Sequence, residues 1–126
     1  MNLSEYFEKT EGVGVMATAD ASGKVDAAIY ARPHVMDEET VVFIMADRLT
    51  HANLQSNPGA AYLFVESGAN YKGRRIYLTK TREEENSQLI DEICRRCDYS
   101  MHGSNLTRFV VFFNVDEVLP LIGSGE

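Results

Sequence analysis

Hydrophobic positions along this chain fall into short strand-like runs separated by two stretches with helical spacing. Leu3, Tyr6 and Phe7 recur at helical intervals, and Ser4 is placed to cap a short first helix. Gly12 and Gly14 break that pattern, and residues 13–18 predict a strand. The DASGK stretch, residues 20–24, has hairpin chemistry, with Gly23 free to take positive φ. Residues 25–32 predict the returning strand. Pro33 donates no ladder hydrogen bond and marks an edge or interruption near its end. Residues 37–39 make the next turn. Residues 40–46, TVVFIMA, are β-branched and almost wholly apolar, which predicts a strand buried on both faces. Residues 50–56 predict a short helix capped by Thr50 and ended by Asn57-Pro58-Gly59. Residues 60–66 predict a strand, 68–73 a loop, and 74–81 a strand with many polar positions. Residues 82–97 predict the one long helix, with Leu89, Ile90, Ile93 and Cys97 on one face. Residues 109–118 predict the last strand.

Six strands with hairpin connections suit a closed antiparallel barrel, which removes exposed edges. The expected fold is mainly β, a barrel with flanking helices, in one domain spanning residues 1–126. The runs VVFIM and FVVFF alternate too little for a sheet wetted on one side. The outer face is therefore expected to be covered, by the helices or by a second subunit, and a homodimer is the simplest cover.

Charge narrows the function. The net charge of -7 argues against nucleic acid and against an anionic membrane as partners. The longest apolar runs, residues 41–46 and 109–113, fall far short of the roughly 20 residues a spanning helix needs. Residues 1–12 show no basic start followed by an apolar stretch, and the chain has two cysteines, so the expected setting is reducing and cytoplasmic.

Residues 30–58, YARPHVMDEETVVFIMADRLTHANLQSNP, carry the most chemistry. Arg32 stands at a strand end. A buried strand follows, then the Asp47-Arg48-Leu49-Thr50 turn, then a helix whose first N–H groups are free to bind. A helix start with a hydroxyl and a nearby Arg is a good phosphate cradle. The alternative is that Arg32 and Arg48 are solvated surface charges and Thr50 only a cap, and spacing alone leaves both open.

This stretch resembles the flavin-binding segment of the pyridoxamine 5′-phosphate oxidase-like family. The matching elements are Arg32-Pro33, the apolar strand 40–46, Thr50, Asn53-Leu54 and Asn57-Pro58, in the family's order and spacing. The later strand, helix and final strand follow the same order, so the resemblance extends over most of the chain. It implies a six-stranded antiparallel FMN-binding split barrel, with FMN as cofactor at the interface of a homodimer. Arg32 would bind the flavin phosphate, and Ala31, Pro33 and His34 would lie along the flavin. Met45 and Ala46 would flank the isoalloxazine edge. Thr50 would complete the phosphate site, with Asn53 one helical turn on. Many relatives have Lys in the turn where this chain has Leu49-Thr50, and Arg48 is the candidate substitute. Lys72, Arg74 and the tail 119–123 are candidates for contacts from the second subunit.

Seven of the twelve Lys and Arg residues, Arg32, Arg48, Lys72, Arg74, Arg75, Lys80 and Arg82, lie in this segment or in the stretch directly after it. Such concentration suits a small anion. A basic face balancing Glu83-Glu84-Glu85 is the alternative for Lys80 and Arg82. His51 could meet a flavin or phosphate, with a surface role as the plainer reading. No P-loop, GxGxxG or metal-ligand spacing is present.

The implied function is an FMN-dependent oxidoreductase acting on a small molecule, with His34, Tyr30 and Tyr71 as acid–base candidates. The alternatives are a non-enzymatic electron carrier serving a redox partner protein, and a haem- or deazaflavin-binding module on the same barrel. Cys94 and Cys97 form a CxxC late in the predicted helix, where the dipole opposes a thiolate, so a structural role is expected. Replacing both by serine should leave any flavin reduction intact; a large loss of turnover would revive a dithiol mechanism.

Overall fold

A computed structural model describes residues 2–68, 70–85, 88–93 and 107–123. Cys94, Cys97, His102 and the second half of the expected long helix lie outside them. The elements run α1 (Leu3–Lys9), β1 (Gly12–Ala19), β2 (Val25–Ile29), β3 (His34–Val35), β4 (Thr40–Ala46), α2 (Leu49–Ser56), β5 (Gly59–Glu66), β6 (Gly73–Glu85), α3 (Leu89–Ile93) and β7 (Arg108–Pro120). The strands form one antiparallel sheet in the order β2-β1-β5-β6-β7-β4-β3.

The mainly β class is as expected, with seven strands where six were expected. The strand foreseen over residues 25–32 ends at Ile29, and a two-residue strand follows Pro33. β2 and β3 are the two edges of the sheet, yet they are consecutive in the chain. Only Tyr30–Pro33 joins them, so the edges stay within about 15–18 Å of each other. The barrel is split along this seam.

The other corrections have local causes. Asn2 rather than Ser4 caps α1, its side chain accepting from the Glu5 N–H at 2.8 Å. Arg48 stands at the α2 N-cap with no side-chain cap bond, because the Thr50 side chain is turned inward. β6 continues through Arg82–Glu85, where a helix start was expected, because β7 extends the ladder as far as Glu85↔Phe109. The hairpin is as expected: Asp20 Oδ1 accepts the Ser22 and Lys24 N–H groups, and Gly23 has φ +89°.

Inward positions build the main core from Phe7, Met16, Phe43, Met45, Tyr62, Phe64, Ile76, Leu78, Val111 and Phe113, with α1 and α2 contributing Tyr6, Phe7 and Leu54. The opposite face of β4 and β7 is also apolar. Val42, Val110 and Phe112 pack there against Ile90, with Leu89 and Ile44 beside them. That half of the expected outer cover is thus a helix of the same chain.

Gly14 lets the sheet close near the seam. The Tyr62 hydroxyl passes over it to donate to the Tyr30 carbonyl at 3.0 Å, and a Cβ at Gly14 would overlap that hydroxyl. Gly14→Ala should lower stability by about 1–3 kcal/mol, by overpacking a closed site. Urea unfolding should show a lower midpoint at unchanged slope.

Candidate functional site

Pairing between β3 and β4 stops at His34↔Val42. Upstream of His34 the chain swings away, and the Tyr30 N–H bonds the Gly14 carbonyl on β1 instead. Phe43–Ala46 therefore have β7 on one side and no strand on the other. A wedge opens between the Tyr30–Pro33 crossing and this free edge of β4, and the chain turns directly from Ala46 into α2.

Two side chains stitch the crossing to the helices. Tyr30 is half-buried, packs its ring edge-on to Phe43, and shares a side-chain hydrogen bond with Thr50 of α2. Burial and the nearby Asp26 push its phenol above the ordinary value, against the bond from Thr50 and the charge of Arg48, so Tyr30 is a neutral hydrogen-bonding group. Arg32 turns the other way. Its Nη1 donates to the Phe7 and Thr10 carbonyls, each at 2.8 Å, closing the C-terminal end of α1.

The residues singled out in the sequence separate into groups. Ala31, Arg32, Pro33 and His34 form the crossing and the start of β3, with Pro33 buried. Met45 is a fully buried core residue paired with Phe109 of β7, so its side chain does not face the wedge. Ala46, Arg48 and Thr50 come together at the α2 start, which the Tyr30 side chain reaches. Asn53 is committed to the fold, its amide donating to the Thr18 hydroxyl at 3.0 Å. Lys72 is exposed in the loop before β6. The Arg74 guanidinium lies over the Tyr6 ring at 4.6 Å, and Tyr6 donates to Glu66 at 2.6 Å.

Most of the concentrated positive charge serves the fold. Arg75 donates to the Pro120 and Gly123 carbonyls of the tail. Lys80 pairs with Glu83 at 2.6 Å, and Arg82 pairs with Glu84 while covering the Phe112 ring at 3.7 Å. For Lys80 and Arg82 the balancing role is the one observed. Arg48 and Lys72 remain exposed.

His51 departs from the surface role expected of it. It is buried, stacks on Phe109 with centroids 3.7 Å apart, and places Nε2 at 2.9 and 3.1 Å from the two Glu83 oxygens. Gln55 donates to the same carboxylate at 3.0 Å. The sequence concealed this cluster because Glu83 lay in a predicted helix. Among the described residues, no group of His, Cys, Asp and Glu is arranged to hold a metal, and no helix is long and apolar enough to cross a membrane.

No family model matches the sequence, and no curated protein does. Solved structures do match the fold. An FMN-binding protein from Syntrophomonas wolfei subsp. wolfei aligns with TM-score 0.79 at 14% identity, covering 97% of this chain and 85% of that one. A proposed pyridoxamine 5′-phosphate oxidase from Listeria innocua aligns with TM-score 0.67 at 14% identity, covering 93% of both chains. HutZ, the heme storage protein from Vibrio cholerae, aligns with TM-score 0.62 at 16% identity over 100% of both. The chain has the split-barrel fold of the pyridoxamine 5′-phosphate oxidase-like proteins.

Glu83 supplies a pH test. Desolvation disfavours its charge, but bonds from Lys80, Gln55 and His51 outweigh that and lower its pKa from 4.5 to about 2. A depressed carboxyl stabilises the fold above its unfolded pKa and loses that contribution as pH falls through the folded one. The stability gap between wild type and Glu83→Gln should be full above pH 4.5 and shrink towards pH 2, read by urea titration at stepped pH.

Proposed function

We propose that this chain is an FMN-binding flavoprotein of the oxidoreductase type, acting as a homodimer on a small molecule. The observation that carries the reading is the wedge between the Tyr30–Pro33 crossing and the unpaired edge of β4, which ends at the uncapped start of α2. It suits a flat ring with an anionic tail. On the side away from β7, the Ile44 backbone groups and the Ala46 N–H face the wedge and can bond the ring edge, while the Ala46 carbonyl accepts from the Arg48 N–H. Arg48 and the first N–H groups of α2 offer donors for a phosphate. Arg32 is the other candidate cation: α1 holds its Nη1, so it would reach a phosphate through Nε or Nη2, which have no partner among the described residues, or by turning from α1. The match to an FMN-binding protein across nearly the whole chain supports this reading.

Bound flavin would supply hydride or electron transfer. The chain's own residues bind and orient it, and Tyr30 closes the inner end of the wedge by its bond to Thr50. The likeness to HutZ keeps haem as the second reading. His51 does not serve it, since its Nε2 is committed to Glu83; among the described residues that leaves His34 as the candidate ligand, with His102 outside them.

A second copy of the chain suits the sheet's other outer face. Directly paired residues share a face, so the outward rows read Ile29–Val15–Leu63–Arg75 and Ala27–Ala17–Ala61–Tyr77, with Val25–Ala19 beyond. Val25 and Ile29 are 76% and 71% exposed, and no described element covers them. Strands about 4.8 Å apart give this face an area on the order of 300 Å², the scale of functional patches. A stable pairing needs about 800 Å² from each partner. The Lys72 loop and the 119–123 tail, both beside β6, would complete it and bring their groups toward the partner's wedge.

Three measurements test the proposal. The purified chain should show flavin absorption, or gain it on titration with FMN; a Soret band or an unchanged spectrum would overturn it. Arg32→Ala and Arg32→Lys should both weaken FMN binding, by about tenfold or more, with the lysine variant retaining more of the α1 contact. Sedimentation equilibrium should find a dimer that Ile29→Lys with Leu63→Lys converts to a folded monomer. A wild-type monomer at tens of micromolar would remove the interface.

A further inference from the structure

The helix that opens the wedge is held in an unusual way. α2 (sequence LTHANLQS) is short, rich in weak helix formers, and has no capping side chain. Leu54 is its one large apolar residue in the core; the other buried side chains are Thr50, His51 and Asn53. Apolar packing thus contributes little to its position. Polar tethers to separate strands do the work: Thr50 to Tyr30 after β2, Asn53 to Thr18 on β1, and His51 to Glu83 on β6. The third is the most elaborate. The imidazole is clamped between the Phe109 ring and the Glu83 carboxylate, Lys80 fixes that carboxylate from β6, and Gln55 joins it to the next turn of α2. The Gln55 amide also donates to the His51 carbonyl at 3.1 Å. On the other side of the ring, His51 Nδ1 stands 3.7 Å from Asp47, in the turn that leads into the helix.

We infer that the His51–Glu83 contact is the latch that fixes α2 against the barrel end, and that it thereby sets the anion-binding geometry of the helix start. His51 is a positioning residue: its ring faces Glu83 and Phe109, while its backbone N–H belongs to the first turn that would meet a phosphate. A bond from a buried imidazole to a half-buried carboxylate is directional, so losing it frees rotation of the helix in a way that losing apolar area does not. The second half of the inference rests on the flavin reading above; the first half stands on the contacts alone.

The test compares His51→Leu, which keeps an apolar side chain against Phe109, with His51→Gln, whose amide can still donate to Glu83. Hydrogen exchange on the ligand-free chain should accelerate across the α2 amides in the leucine variant, relative to the strands, and recover in the glutamine variant. Affinity for FMN should fall about tenfold in His51→Leu, while affinity for riboflavin, which lacks the phosphate, should change by less than about twofold. Exchange that rises uniformly over the whole chain, or not at all, overturns the latch. FMN and riboflavin affinities that fall together overturn its link to the anion. A wild-type chain that binds neither flavin defeats the link together with the flavin reading, and the exchange comparison then decides the latch by itself.

Discussion

Four residues have to carry the backbone from one free edge of a curled sheet to the other. Everything distinctive about this barrel depends on that short crossing. Tyr30 still belongs to β1 through its N–H, and Pro33 delivers the chain to β4 at Val42. Between them the backbone pairs with neither strand: pairing with β1 ends at Tyr30, and a proline with no N–H stands just before pairing with β4 begins at His34. The sheet is left with a gap that side chains must close. Tyr30 ties one lip to α2, and Arg32 ties the other to α1. The same gap leaves the β4 edge unpaired, so the defect that the helices must repair is also the place where a ligand has backbone groups to bind.

Much of this was legible in the sequence where the cause is local. The hairpin at Asp20–Lys24, the apolar β4 and the break at Asn57-Pro58 each follow from side-chain chemistry within a few residues. β3 was not legible, because two residues carry no period. The end of β6 was misread for a physical reason: Glu83-Glu84-Glu85 looks like a helix start until Lys80 and Arg82 are placed beside it and β7 supplies the ladder. The candidate site shows the same limit. Arg32 and Thr50 were singled out as a phosphate cradle, and they lie on the crossing and in the first turn of α2. That Arg32 would lend one nitrogen to α1, and that Thr50 would face Tyr30, are tertiary choices that spacing along the chain does not encode.

The electrostatics follow a similar economy. This acidic chain gathers its cations on one stretch, and the structure uses most of them as internal braces: Arg74 on an aromatic ring, Arg75 on tail carbonyls, Lys80 and Arg82 on neighbouring carboxylates. Sequence clustering of charge therefore overstates how much is available to a ligand. The exposed Arg48 beside an uncapped helix start is a smaller resource, and a better placed one.

The two apolar faces of β1 raise a question of register. A slip by one residue turns every side chain of a strand over, and in β1 it would bring Val13, Val15, Ala17 and Ala19 inward in place of Gly12, Gly14, Met16 and Thr18, a row no less apolar. Glycine removes that ambiguity. At Gly12 and Gly73 the neighbouring β5 backbone comes so close that any Cβ would collide with the Val65 or Phe64 carbonyl. Only the observed alignment brings these bare positions under the close approaches. A strand that is greasy on both sides is thus held in phase by its missing side chains, and a methyl group at either glycine would act on the alignment of the ladder more than on the core.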